Sequence, residues 1–360
     1  MILDDKLGKQ GGDRRHLPSA QYIDLSTCVN RYGPPQAVMD TLQAITREEI
    51  RIHPYEAAEK LVAAHSYHLD VLPSELVAGR GTTEFIWSIG RLAENQRVLV
   101  PLPAYTDFLR AFPSAVRSSE SSTDDVSSFD SLSACMPKAD WVVISNPNNP
   151  LGTIFSRAQL TDLCQHFPQT MLIVDESYLD FILDRKPVSM IGCDLENVVV
   201  LQSPSKFYGI AGARAGVAWS RNTNMLSSLS GQQDTWPLSA LDVAAAVSAL
   251  RQEEWSSTMR QTLVDDAIWL EQLLLSLFEP SLGHVVTPVP VHYRFIQTDL
   301  AAVIAKSLQG HDILVRVLAE GHGVKGGGLR ITSPLRDERE RFASALKEAF
   351  ACHFPNDTNN

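Results

Sequence analysis

Four continuous apolar runs constrain the fold of this 360-residue chain more than any other feature. The runs lie at Arg97–Val100, Trp141–Ser145, Met171–Val174 and Asn197–Gln202. An apolar run without alternation indicates a strand that is buried on both faces, and a loop and a helical stretch follow each run. The pattern predicts an α/β fold with a mostly parallel sheet, in which ligands bind at the carboxyl ends of the strands.

Composition and charge narrow the class of protein. An apolar share of 44% and a charged share of 20% are typical of a soluble globular chain. A formal net charge of −11 argues against nucleic acid or an anionic membrane as a partner. The five cysteines include no CxxC pair, and the N-terminus has no apolar segment of a signal peptide. We therefore expect a cytoplasmic protein with reduced thiols, no metal-ligand set and no membrane span.

The rest of the chain predicts a division into a larger and a smaller part. The polar stretch Ser118–Ser133 is typical of a surface connection. After Trp236 the periodicity predicts one long amphipathic helix over about Ala240–Phe278. The segment His292–Gln297 then begins an α+β portion, which ends in a helix over Glu338–Phe350.

Two motifs that follow predicted strands are suited to bind a ligand. The first, Gly79–Glu84, opens a helix, and backbone N–H groups beside two threonine hydroxyls suit a phosphate. Such a glycine-rich turn is, taken alone, more often only a turn. The second, residues 145–152 (SNPNNPLG), fixes an asparagine at a strand end, where it suits a hydrogen bond to a bound ring. An ordinary loop is the alternative for this second motif.

Two further motifs supply charged groups at the same predicted edge. Asp175 stands at the mouth of an apolar strand, so its carboxylate needs a partner. A helix N-cap would provide one, and a protonated ring nitrogen would provide another. Lys206 ends the run Ser-Pro-Ser-Lys, and Arg214 follows eight residues later. A strand-end lysine is usually a solvated charge, but these neighbours suit an imine-forming lysine next to a phosphate-binding arginine.

In this order, the four motifs resemble the fold-type I, class I/II aminotransferase family, whose cofactor is pyridoxal 5′-phosphate (PLP). The resemblance extends from Gly11 to about Phe350. It implies the PLP-dependent transferase fold type I, with a mostly parallel central sheet and a smaller α+β C-terminal domain. We expect residues 1–35 to join the small domain, 36–238 to form the large PLP-binding domain, and 239–360 to form the small domain.

The resemblance also implies roles for individual residues. Lys206 is expected to hold PLP as a Schiff base and to move a proton, while Asp175 pairs with the pyridinium nitrogen. Tyr178 and Asn149 are expected to hydrogen-bond the ring oxygen, and Tyr105 to stack on the ring. The residues expected at the cofactor phosphate are Gly81, Thr82, Thr83, Ser203, Ser205 and Arg214.

Substrate contacts are expected from a second set of residues. Arg330, in GGLRIT, matches the family's arginine for the substrate α-carboxylate, which a planar guanidinium binds through two hydrogen bonds. Arg316, Cys28 and Asn30 are further candidates on the substrate side. His53 occupies the position of a tyrosine that in the family reaches PLP of the neighbouring subunit, which implies a homodimer with a shared active site.

Within the family, the chain is most similar to the branch of histidinol-phosphate aminotransferases and threonine-phosphate decarboxylases. The segments GGDRR, SKFYGIAGARAG and WPLSALDVAAA resemble the decarboxylase, whereas Tyr178 resembles the aminotransferase. Gln10 and Cys28 depart from decarboxylase positions that contact the substrate phosphate.

The reaction is therefore left open at this stage. Transamination of an amino acid or its phosphorylated derivative is favoured, with α-decarboxylation and side-chain elimination or cyclisation as alternatives. A PLP-binding regulator without turnover would need a DNA-binding module, which the first 20 residues do not supply.

Overall fold

The computed structural model describes residues 11–12, 22–117, 129–278, 282–319, 323–324 and 326–351. The strands are β1 (Ile23–Asp24), β2 (Leu76–Gly79), β3 (Val98–Val100), β4 (Val116–Arg117), β5 (Trp141–Ser145), β6 (Met171–Asp175), β7 (Val198–Gln202), β8 (Gly216–Trp219), β9 (His284–Val285), β10 (Tyr293–Gln297), β11 (Ile313–Leu314), β12 (Arg316–Leu318) and β13 (Gly328–Thr332). The α-helices are α1 (Gln36–Gln43), α2 (Arg47–Arg51), α3 (Ala57–Leu69), α4 (Gly81–Leu92), α5 (Thr106–Ala111), α6 (Phe129–Cys135), α7 (Arg157–His166), α8 (Thr223–Ser230), α9 (Ala240–Leu250), α10 (Glu253–Leu277), α11 (Ala301–Gly310) and α12 (Arg339–Ala351).

The central sheet is seven-stranded, in the order β2-β8-β7-β6-β5-β3-β4. Neighbours from β7 to β4 pair in parallel, and β8 runs antiparallel to both β7 and β2. The predicted mostly parallel sheet is therefore confirmed, and its four predicted strands have ends within one residue of those observed.

Burial on both faces explains why these strands are continuously apolar. In β5, Val142 and Ile144 pack into one hydrophobic cluster, while Val143 between them packs into another on the opposite face. Every residue of β7 is buried. Helices cover both faces of such a sheet, so the polar side chains that follow its strands are concentrated at the carboxyl ends of the strands.

A second, antiparallel sheet forms in the C-terminal part, in the order β12-β13-β10-β9. Side chains of α10, α11 and α12 pack with this sheet in one hydrophobic cluster, which also includes Ile23 and Leu25. β1 pairs in parallel with β11, so a segment near the N-terminus contacts the C-terminal part. The boundaries at residues 35 and 238 stay a prediction.

The expected single helix over Ala240–Phe278 is wrong, because the chain leaves helical geometry at Gln252 (φ −93°, ψ 66°) between α9 and α10. The signal at the sequence level is Glu253 and Glu254, which lie in the first turn of α10, where acidic residues favour a helix start. No proline or glycine marks the break, so periodicity alone misses it.

Two other predicted segments need correction. The last residues of the expected surface connection, 129–133, belong to the helix α6 (Phe129–Cys135), and Leu132 on it is buried in the core. Residues 118–128 lie outside the described part of the chain. The last helix begins at Arg339, after a 3₁₀ turn over Arg336–Glu338. Among the described helices, none combines the length and the apolar character needed to cross a membrane.

Candidate active site

The predicted ligand-binding segments meet at one edge of the central sheet because the strands before them end in register. Ser145 at the end of β5 is paired with Asp175 at the end of β6. Since β8 runs in the opposite direction, its start at Gly216 lies beside Gly79 at the end of β2. The loops after β2, β5, β6 and β7 and the loop before β8 therefore converge.

These loops and the start of α5 enclose one cavity. It is lined by Gly81, Thr82, Thr83, Tyr105, Ser145, Asn149, Asp175, Ser177, Tyr178, Ser203, Ser205, Lys206 and Arg214. Every residue expected from the sequence to contact the cofactor lines it, with the exception of His53. Ser145 and Ser177 are additional, although both lie inside motifs that the sequence had singled out.

The Asp175 side chain lies on the cavity wall and is nearly completely buried. Its Oδ1 accepts hydrogen bonds from the backbone N–H and the hydroxyl of Ser177, at 2.9 and 2.5 Å. Burial raises the pKa of this carboxyl, while the Ser177 hydrogen bonds and the charge of Lys206 oppose the rise. A buried carboxyl in this position is stabilised as a carboxylate by any cation that enters the cavity.

The Lys206 side chain lines the same cavity as Asp175. Burial lowers the pKa of its amine, which increases the neutral, nucleophilic fraction near neutral pH. The backbone carbonyl of Lys206 accepts a hydrogen bond from the Asn30 N–H at 2.9 Å. An amine of this kind can attack an aldehyde and can also exchange protons with a neighbouring carbon.

Hydroxyl and guanidinium groups line the end of the cavity at the start of α4. The hydroxyls of Ser203 and Ser205 are 2.7 Å apart, and Arg214 Nη2 donates to Thr83 Oγ1 at 3.4 Å. Gly81 has a φ of +72°, and a Cβ there would lie 3.1 Å from Arg214 Nη2, so glycine keeps space beside the guanidinium. Together with the positive N-terminal end of α4, this arrangement is suited to a phosphate.

Tyr178 and Asn149 also line the cavity and are hydrogen-bonded to each other. Asn149 Nδ2 donates to the Tyr178 hydroxyl at 3.4 Å, and burial raises the Tyr178 pKa well above its ordinary value. Asn149 Oδ1 accepts a hydrogen bond of 2.5 Å from Arg330 Nη1, and Arg330 Nη2 donates to the Ser26 carbonyl at 2.8 Å. Arg330 Nε is buried and has no hydrogen-bond partner among the described residues.

The two substrate-side arginines face each other across adjacent strands. Arg316 on β12 is paired in register with Arg330 on β13. Burial lowers the Arg316 pKa to about 10, and the nearby charges of Arg330 and Arg110 contribute to the decrease. Like charges opposite each other destabilise a sheet, so this pair favours the entry of an anion.

The other two substrate-side candidates, Cys28 and Asn30, contact other residues of the protein. Cys28 is buried in a cluster with Tyr178, and its carbonyl is 3.1 Å from His292 Nε2. The Asn30 side chain donates to the Phe207 carbonyl at 2.9 Å and accepts from the Tyr32 N–H at 3.0 Å. Their roles toward a substrate stay predictions, and Gln10 lies outside the described residues.

His53 lies in a different part of the surface. Its ring stacks on that of Trp236, with centroids 4.0 Å apart and planes 8° from parallel. Tyr55 contacts both rings edge to face. The three side chains are exposed to solvent, and His53 and Tyr55 line a cavity of about 1060 Å³ between α3 and α9. Within a single chain, His53 is therefore not part of the site.

Comparison with known proteins connects this geometry to a family. The family described as aminotransferase class I and II matches residues 20–345. A histidinol-phosphate aminotransferase of Geotalea uraniireducens is 29% identical over 343 residues, covering 91% of this chain and 93% of the relative. A threonine-phosphate decarboxylase of Salmonella typhimurium is 27% identical over 350 residues, covering 94% and 93%.

A solved structure extends the likeness to the fold. The histidinol-phosphate aminotransferase of Sinorhizobium meliloti, in complex with PLP, superposes with a TM-score of 0.79 at 21% identity. The match covers 91% of this chain and 90% of that one. The described chain therefore shares the overall fold of that structure.

Proposed function

The chain belongs to the family of class I and II aminotransferases, and we propose that it transfers the amino group of an amino acid or of a phosphorylated derivative. Its cofactor is PLP. The observation that carries the proposal is that the Lys206 amine and the Asp175 carboxylate line one cavity, with Arg214 and several hydroxyls at one end of it. The sequence resemblance and the family match support the same conclusion.

The donor set of the cavity fits each part of PLP. The Lys206 amine suits the aldehyde, and the Asp175 carboxylate suits the ring nitrogen. Tyr178 and Asn149 suit the ring oxygen, and Tyr105 offers an aromatic face. The residues proposed for the phosphate are Gly81, Thr82, Thr83, Ser203, Ser205 and Arg214. When bound, PLP supplies an electron sink for the carbanion formed at the substrate α-carbon.

Lys206 is proposed to act twice. Because burial lowers its pKa, the Lys206 amine would be available to bind the PLP aldehyde and, when free, to accept the proton of the substrate α-carbon. Tyr178 and Asn149 would hold the ring oxygen and so orient the ring relative to the Lys206 amine.

The arginines define the class of substrate. We propose that Arg330 binds the α-carboxylate through its planar guanidinium, replacing the hydrogen bonds that it now makes to Asn149 and Ser26. Arg316 lies opposite it and, among the described residues, has no carboxylate within ion-pair distance. The pair therefore suits an amino acid that carries a second anionic group, such as a phosphate.

α-Decarboxylation is the second candidate, and the Salmonella relative named above favours it. The same cavity residues serve both reactions, because the bond that breaks is decided by the orientation of the substrate. Elimination or cyclisation of a side chain uses the same proton transfer and stays a third possibility.

The reaction type is tested by incubating the PLP-loaded protein with amino acids and their O-phosphorylated forms, with and without a keto acid. We expect amino-group transfer that depends on the keto acid, measured by chromatography of the new amino acid. Release of carbon dioxide without any requirement for a keto acid would show that the protein is a decarboxylase instead.

We also propose a homodimer with an active site shared between subunits. The support is the exposed aromatic group of His53, Tyr55 and Trp236, together with the large cavity between α3 and α9. Tyr55 and Tyr67 beside this cavity are 72% and 79% exposed, and groups of exposed apolar side chains mark interaction surfaces. Sedimentation should give twice the chain mass of 39.7 kDa, and a stable monomer would contradict the proposal.

We propose a cytoplasmic location because the cysteines are not paired in disulfides among the described residues. The four cysteines in the described part of the chain are free thiols, and three of them are buried. Unpaired cysteines of this number are typical of proteins in a reducing compartment.

A further inference from the structure

Ser177 occupies a position between the two ends of the proposed cofactor site. It follows β6 by two residues, in the motif Val-Asp-Glu-Ser-Tyr, and its side chain lines the cavity. Both of its donors, the backbone N–H and the hydroxyl, point to the same oxygen of Asp175. Among the described residues, no other group donates a hydrogen bond to the Asp175 side chain.

The hydrogen bonds run in one direction through three side chains. Since the Ser177 hydroxyl donates its proton to Asp175, its oxygen accepts at the other contact, from the Thr82 hydroxyl 3.2 Å away. Thr82 is the second residue of α4, at the end of the cavity that suits a phosphate. The chain Thr82–Ser177–Asp175 thus connects the start of that helix to the buried carboxylate.

The Ser177 hydrogen bonds favour the ionised form of Asp175. Burial disfavours the charged carboxylate, and the strongest opposing contribution to its pKa is the hydrogen bond from the Ser177 side chain. The other groups that face it electrostatically are Lys206, Tyr105 and Tyr293, and of these only Lys206 can carry a positive charge.

We propose that Ser177 is a positioning residue, which keeps the Asp175 carboxylate charged and oriented so that the proton stays on the cofactor ring nitrogen. The inference depends on the proposed function, since it requires PLP in this cavity. A backbone N–H alone would orient one carboxylate oxygen, but the hydroxyl adds a second donor and the connection to α4. The residue therefore acts on the ring through Asp175, without contacting the reacting carbon.

Ser177→Ala removes the hydroxyl and keeps the backbone bond. We expect the apoprotein to bind PLP about 10-fold more weakly, in line with the loss of one hydrogen bond to a charged group. With PLP labelled at the ring nitrogen, the ¹⁵N chemical shift of the bound cofactor should move toward that of neutral pyridine. The shift reports where the proton lies, which a loss of packing alone would not change.

A second variant and a matched control keep the test specific. Thr82→Val removes the other hydroxyl of the chain and should move the ¹⁵N shift in the same direction by a smaller amount. Ser189→Ala removes a hydroxyl that donates to the neighbouring carboxylate, Glu176, at 2.7 Å, outside the cavity. It should leave both the PLP affinity and the ¹⁵N shift unchanged.

The outcomes separate this inference from the proposed function. If the unchanged protein binds PLP and Ser177→Ala shows the same affinity and the same ¹⁵N shift, the role of Ser177 is refuted while the function stands. If the unchanged protein binds no PLP, the proposed function itself fails.

Discussion

Replacing Lys206 by alanine is expected to lower turnover by at least about 10³-fold, because the residue would supply both the covalent attachment and the transferred proton. The unchanged protein with PLP should absorb near the visible edge of the ultraviolet, and borohydride should fix the cofactor to the peptide containing Lys206. The Lys206→Ala protein should bind PLP without a covalent link, so mass spectrometry after reduction should find no modified peptide.

Lys186→Ala is a suitable control, since Lys186 is exposed on the loop after β6, away from the cavity. It should retain the absorption band, the borohydride adduct and turnover. A Lys206→Ala protein in which borohydride still attached PLP to a lysine of the cavity would contradict the assignment.

The cavity could be predicted from the sequence because its residues follow strands that are recognisable without a structure. Asp175 and Lys206 each come within a few residues of an apolar run that is buried on both faces. Parallel strands bring their carboxyl ends to one edge, so linear order along the chain translates into spatial proximity. The resemblance then assigned a part of PLP to each residue, which periodicity alone could not do.

The proposed role of Ser177, by contrast, could not be predicted from the sequence. Its type and its place in the motif were visible, but a serine two residues after a carboxylate is usually only part of a local turn. Its proposed role depends on the distance to Thr82, 95 positions earlier in the chain, and on the direction in which the Ser177 hydroxyl donates. Such contacts between distant segments are set by the packing of α4 on the sheet, which single motifs do not encode.

The helical region after Trp236 illustrates a different limit. Apolar periodicity does not mark Gln252 as a break, so a pattern search joins α9 and α10, although the backbone leaves helical geometry there. His53 is a third case, because its ring is fixed on Trp236 from a segment 183 positions later. Whether that ring contacts a neighbouring subunit depends on an assembly that one chain does not contain.

Substitution of Arg330 is the second change for which we expect a large effect, since its guanidinium is buried and its Nε has no hydrogen-bond partner among the described residues. In the proposed complex it forms two charge-assisted hydrogen bonds with the substrate α-carboxylate. It also contacts the ring of Tyr293, with the guanidinium carbon 5.7 Å from the ring centroid, so the fork is held in one orientation. The carboxylate would replace the hydrogen bonds to Asn149 and Ser26, while the contact with Tyr293 would keep the guanidinium in place.

Arg330→Ala should therefore lower kcat/KM for amino acids on the order of 10²–10³-fold, the range for removing one partner of a buried charge pair. PLP binding should change by only a few-fold, because the cofactor keeps Lys206, Asp175 and Arg214. Arg330→Lys keeps the charge and loses the planar guanidinium, so its kcat/KM should lie between that of the unsubstituted protein and that of Arg330→Ala. Arg336→Ala serves as control, since that side chain is 64% exposed. Equal losses of amino-acid and PLP binding in Arg330→Ala would show that the arginine supports the whole cavity rather than the carboxylate.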